Sequence, residues 1–132
     1  MKRFLEKLTS IWQPHAGQME FLLHPAKFKV LSCGRRWGKT DVCAVQILGL
    51  LMGESPTRHV IIAPTQDQAN LLFDRLQQLL MQYIEFHNLK ETASVKLTPY
   101  PKLSFGRHTV LARSGHVARA LRGNEATHVV ID

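Results

Sequence analysis

The chain has 132 residues, 45% of them hydrophobic, and a formal charge of +7, a length and composition that suit one domain with a real core and leave no room for a second. The two cysteines, Cys33 and Cys43, have no spaced partners for a disulfide framework or a zinc site, so a reducing compartment is expected. Met1 to Trp12 carries charges throughout, unlike a secretory signal, and no stretch is long enough to span a bilayer, which points to the cytoplasm. The positive charge favours an anionic partner such as nucleic acid, and beyond His87 seven Lys or Arg (Lys90, Lys96, Lys102, Arg107, Arg113, Arg119, Arg122) stand against Glu91, Glu125 and Asp132. The seven histidines are scattered, without the close pairs of a metal site, and read as surface or capping residues.

Lys2 to Trp12 forms an amphipathic arm through Phe4, Leu5, Leu8 and Ile11, and a second helix is expected over Pro14 to Leu23, with Pro14 set for the first turn. Phe28 to Ser32 reads as a short buried strand and Asp41 to Leu51 as an apolar helix. After a Gly/Ser/Pro turn at Gly53 to Thr57, the run His59-Val60-Ile61-Ile62-Ala63 has the near-continuous apolar character of a parallel strand covered on both faces. Pro64 ends it. Thr65 with Gln68 makes a capping box, and Ala69, Leu72, Phe73, Leu76, Leu79, Leu80 and Tyr83 follow helical spacing. Ser94 to Thr98, Lys102 to Phe105 and His108 to Arg113 then read as short strands of an antiparallel insertion. Val117 to Leu121 is expected to make one helical turn before Thr127 to Asp132, an apolar strand with an acid at its carboxyl end.

Between the first expected strand and its helix lies Ser32-Cys33-Gly34-Arg35-Arg36-Trp37-Gly38-Lys39-Thr40, with Cys33 where the strict phosphate-loop pattern has glycine. In that setting backbone N–H groups at a helix N-terminus can cradle phosphate, Lys39 can reach the β/γ-phosphates, and the Thr40 hydroxyl can hold Mg²⁺. Asp132, closing its apolar strand, has the form of the second nucleotide signature, an aspartate delivered to the same metal. An ATP-binding hydrolase using Mg²⁺ is the expectation these two signatures carry together.

Arg35-Arg36-Trp37-Gly38-Lys39-Thr40, the strand His59 to Ala63 with Pro64-Thr65 and Gln68-Ala69, Leu121-Arg122-Gly123 and the terminal Val-Val-Ile-Asp together resemble the ATPase domain of phage terminase large subunits, over about Trp12 to Asp132. The resemblance implies an α/β P-loop NTPase of RecA-like type, a mostly parallel three-layer sheet with a small antiparallel insertion. Residues 1–24 would supply N-terminal helices and an adenine-side segment, and residues 28–132 the nucleotide-binding core. It implies that Gln18 recognises adenine, that Arg35 clamps the γ-phosphate with Arg36 as its alternative, and that Arg122, with Arg119 as rival, reaches a neighbouring subunit's ATP. Gly34, Trp37 and Gly38 complete the implied nucleotide-binding loop, Trp37 either packing or stacking on ligand. The implied partners are double-stranded DNA, portal, small terminase subunit and further copies in a ring.

In that family a catalytic glutamate follows the aspartate, then further strands and a nuclease domain; the pattern here stops at Asp132, so a truncated, incomplete and catalytically inactive fragment is expected. Two other readings use the same residues. A helicase or other translocase acting on DNA or RNA would share the nucleotide core, and a non-catalytic basic nucleic-acid-binding or assembly module would use the charge without turnover.

Overall fold

The computed structural model describes residues 1–115 and 126–132. The expected turn over Val117 to Leu121, with Arg119 and Arg122, lies outside the described residues. In chain order the elements are α1 (Lys2–Leu8), α2 (Ala16–Leu23), α3 (Lys39–Leu51), β1 (Arg58–Ala63), α4 (Gln66–Phe86), β2 (Ala93–Lys96), β3 (Lys102–Phe105), β4 (His108–Ser114) and β5 (His128–Ile131).

The five strands form one mixed sheet in the order β2-β3-β4-β1-β5. β1 lies between two parallel neighbours, β4 in the register Val60↔Leu111 and β5 in the register Val60↔Val129, while β2, β3 and β4 are joined antiparallel. The expected insertion is therefore smaller than its sequence suggests. β4 belongs to the main sheet, because Val110, Leu111 and Ala112 are buried in succession and a strand covered on both faces can sit beside β1. Only β2 and β3 extend outward from it.

Helix α4 is amphipathic over its 21 residues, and each of the seven apolar positions singled out by spacing, from Ala69 to Tyr83, is buried. Thr65 caps it by accepting from the Gln68 N–H at 3.2 Å. α3 presents Val42, Val45, Ile47, Leu48 and Leu51 to the same core, which α1 completes with Phe4, Leu5 and Leu8. A half-exposed ion pair between Arg75 Nε and Asp41 Oδ1, 2.6 Å apart, ties α4 to the first turn of α3. Its contribution is modest, about 0.5 kcal/mol.

Two expectations fail here. Helix α2 begins at Ala16, with His15 as its cap, so Pro14 stands before the helix and not within its first turn. Phe28 to Ser32 is not a buried strand: none of its residues joins a ladder, and Phe28 and Val30 are 83% and 94% exposed. Alternation of apolar residues makes a strand only where a neighbour receives the N–H and C=O groups, and no described strand pairs with this segment. It is held from its inner side, where the Lys29 ammonium donates to Phe21 O at 2.7 Å and to Gln46 Oε1 at 3.2 Å. β5 is likewise open, with Val129 and Ile131 exposed at the sheet edge.

Two of the histidines are also not surface residues. His59 and His108 are 2% and 5% exposed. The Gly53 carbonyl accepts from His108 Nε2–H at 2.9 Å, which leaves Nδ1 to accept the Thr57 hydroxyl proton at 2.7 Å. Thr57 Oγ1 in turn accepts from His59 Nε2–H at 2.8 Å, and the remaining His59 nitrogen, Nδ1, is buried without a partner.

Candidate functional site

The Gly-Lys-Thr signature sits at the start of α3, the helix half of its expected setting, although the segment before the loop is not a strand. Gly38 is the N-cap residue in the left-handed region (φ 95°), and its carbonyl accepts the Val42 N–H at 3.1 Å to open the helix. Lys39 and Thr40 are the first two helical residues and both are exposed, as are Gly34, Arg35 and Arg36. Arg36 itself adopts φ 62°, which costs a residue with a Cβ about 1 kcal/mol. Cys33, in the position where the strict pattern has glycine, is half-buried.

Gly38 is confined from a second side. A Cβ there would collide with the Gln18 carboxamide. Gly38→Ala is therefore expected to lower stability by about 2 kcal/mol, from the left-handed backbone and the collision together. Denaturant unfolding measures this, and an unchanged midpoint would show that the loop is not seated on α2.

Gln18 is 5% exposed, not the open helical position of an ordinary surface glutamine. Its Oε1 accepts the His15 N–H at 3.0 Å, and its Nε2 donates to Gly38 O at 3.1 Å. His15 and Gln18 thus form a reciprocal capping box at the start of α2. The spacing His15-x-x-Gln18 carries that signal in the sequence, with His in the position normally held by Ser or Thr. Trp37, half-buried, packs its indole edge-to-face against His15 with ring centroids 4.6 Å apart.

Asp132 follows β5 and continues the ladder, its N–H donating to Ile62 O at 2.8 Å. Asp132 and Lys39 act on one group, the Cys43 thiol of α3. Burial first, and then the Asp132 carboxylate, push the Cys43 thiol up to about 11, while the Lys39 ammonium pulls it down and Cys33 adds a smaller upward push. Cys43 lies one turn beyond Lys39 on α3, so the carboxylate and the ammonium bear on the same turn. A Lys ammonium and a Thr hydroxyl at a helix N-terminus suit a phosphate, and a carboxylate such as that of Asp132 suits a hard divalent cation. Arg119 and Arg122 lie outside the described residues, and among the described residues there is no group of three or more His, Cys, Asp or Glu placed to hold a metal by themselves. The donor set therefore fits Mg²⁺ carried with a nucleotide better than a resident metal.

A parallel core with a helix-terminal Gly-Lys-Thr and an aspartate on a neighbouring strand defines an α/β fold of the P-loop NTPase class. The comparisons give that class a particular form. The fold matches the solved Thermus phage P74-26 large terminase ATPase domain with a TM-score of 0.82 and 23% identity, covering all of this chain and 57% of that one. A mutant of the same domain matches at 0.78, again with 23% identity and the same coverage. In sequence, part of the chain is similar to terminase large subunits. That of Thermus virus P23-45 is 31% identical over 83 residues, 63% of this chain and 17% of the relative. That of Thermus phage G20c is 34% identical over 74 residues, 56% of this chain and 15% of the relative. The matched stretch thus spans about a sixth of the length of these relatives. No protein-family model matches the chain. Among the described residues, no helix is long and apolar enough to cross a membrane.

Proposed function

We propose that the chain is the ATP-hydrolysing part of a viral DNA-packaging motor, which couples hydrolysis to movement of double-stranded DNA into a procapsid in the host cytoplasm. The observation that carries this reading is the Gly38-Lys39-Thr40 turn at the start of α3, with Gly38 in the left-handed region and Lys39 and Thr40 exposed at the helix end where phosphate is favoured. In this reading the backbone of Gly34, Arg36, Trp37 and Gly38 surrounds the phosphates, Lys39 meets the β/γ-phosphates, and Arg35 draws charge from the γ-phosphate. Thr40 and Asp132 hold Mg²⁺, which when bound neutralises charge on the phosphate oxygens. Gln18 reads the adenine edge, and Arg122 reaches the nucleotide of the next subunit in a ring. The portal and the small terminase subunit are the proposed protein partners, and the formal charge of +7 suits the DNA.

The test is the Mg²⁺ dependence of ATP binding. Mg²⁺ should strengthen binding of a fluorescent ATP analogue to the unaltered chain, and Asp132→Asn should remove most of that gain, roughly fivefold, while leaving metal-free binding as it was. Equal Mg²⁺ enhancement in both proteins would exclude Asp132 as a metal ligand.

A further inference from the structure

The imidazole of His15 is engaged at both nitrogens. Nδ1 accepts from the Gly17 and Gln18 N–H groups at 3.1 and 3.3 Å, so it carries no proton, and Nε2–H donates to Trp37 O at 2.8 Å. Gly17 supplies the room for this approach, since a Cβ there would lie 2.9 Å from the Trp37 indole. Gln18 Nε2 adds a second hold on Gly38 O and a weaker one, at 3.5 Å, on Trp37 O.

These bonds reach carbonyls, yet their effect falls on amides. A trans peptide is planar, and its C=O points opposite to the N–H of the next residue. Holding Trp37 O against α2 turns the Gly38 N–H away from α2, and holding Gly38 O turns the Lys39 N–H the same way. Amide donors at a helix start are the groups that receive a phosphate. Left free, the peptide between Trp37 and Gly38 can flip, because glycine admits both backbone signs.

We propose that His15 is a positioning residue for the phosphate loop: its Nε2–H fixes the Trp37–Gly38 peptide so that the loop's amides face the phosphates before nucleotide arrives. This inference rests on the phosphate-loop reading above and adds to it a residue outside the loop. Preorganised donors bind without the ordering that a mobile loop must undergo. His15 is exposed on its outer side, so the expected effect is that of one partly solvated hydrogen bond, roughly fivefold in nucleotide affinity.

Three substitutions separate this role from simple helix capping. His15→Ala loses both functions and should lower stability and affinity. His15→Asn supplies a good N-cap oxygen and should recover stability, but its shorter amide does not reach Trp37, so affinity for a fluorescent ATP analogue with Mg²⁺ should stay about fivefold low. His15→Gln is longer by one methylene, reaches the Trp37 carbonyl, and should recover affinity that Asn does not. Equal affinity of the Asn and Gln variants overturns the proposal. Lys39→Ala, titrated in parallel, tests the reading beneath it. If Lys39→Ala binds like the unaltered chain, the phosphate-loop reading itself falls. If Lys39→Ala weakens binding while Asn and Gln at position 15 behave alike, only the role of His15 does.

Discussion

Lys39→Ala should weaken Mg²⁺–ATP binding by roughly thirtyfold or more while leaving the unfolding midpoint unchanged. Lys39 is the first residue of α3 and is exposed, so its side chain contributes nothing to the core that α3 builds from Val42 onward. A bond from an ammonium to an anion is worth about 1.5 to 3 kcal/mol, and no other described lysine stands at the loop to replace it. Turnover should suffer more than binding, because charge grows on the β/γ oxygens as the phosphoryl group leaves. In any length of this chain that hydrolyses ATP, the variant should therefore fall to background. Titration with a fluorescent ATP analogue, with denaturant unfolding of the same samples, gives both numbers. Unaltered affinity in a folded variant would refute the assignment of the loop.

What was readable in the sequence follows the range of the forces involved. α4 was legible because its seven buried positions repeat at helical spacing within one segment, and burial of that stripe decides the helix. The Gly-Lys-Thr turn was legible for the same local reason: glycine at φ 95° followed by an apolar helix is written in adjacent residues. β4 was misplaced because its strand neighbour β1 is some fifty residues earlier, and nothing local says which of two edges it joins. Phe28 to Ser32 misled because alternation reports a preference and pairing requires a partner. Gln18 and His15 fall between these cases. Their capping-box spacing is local, but the bonds to Trp37 and Gly38 cross some twenty residues.

The buried histidine at the other end of the sheet makes the chain sensitive to acid. His59 stands at the start of β1, away from Asp132 at the carboxyl end of β5, and its ring stacks on His128 with centroids 4.9 Å apart. Burial, and next the neighbouring His128 and His108, pull its pKa from the ordinary 6.5 down to about 3. The folded chain therefore keeps His59 neutral at a pH where the unfolded chain takes up a proton. Stability from this residue is fully present above pH 6.5 and is lost as pH falls from 6.5 toward 3. Between pH 7 and pH 5 the loss is about 2 kcal/mol, set by the unfolded-state value and almost independent of how far below 5 the folded value lies. The structure gives the reason that protonation is unfavourable. Nε2–H already donates to Thr57, and a proton on Nδ1 would enter a site with no acceptor. His59→Phe preserves a ring against His128 and cannot titrate. Urea unfolding at pH 7 and pH 5 should show the unaltered chain losing about 2 kcal/mol more than the variant across that interval. The variant will be less stable at pH 7, because Thr57 loses a donor, so the comparison is between slopes and not between absolute stabilities. Equal slopes in the two proteins would mean that His59 titrates in the folded chain as it does in the unfolded one, and the hydrogen-bond order drawn through Thr57 would then be wrong.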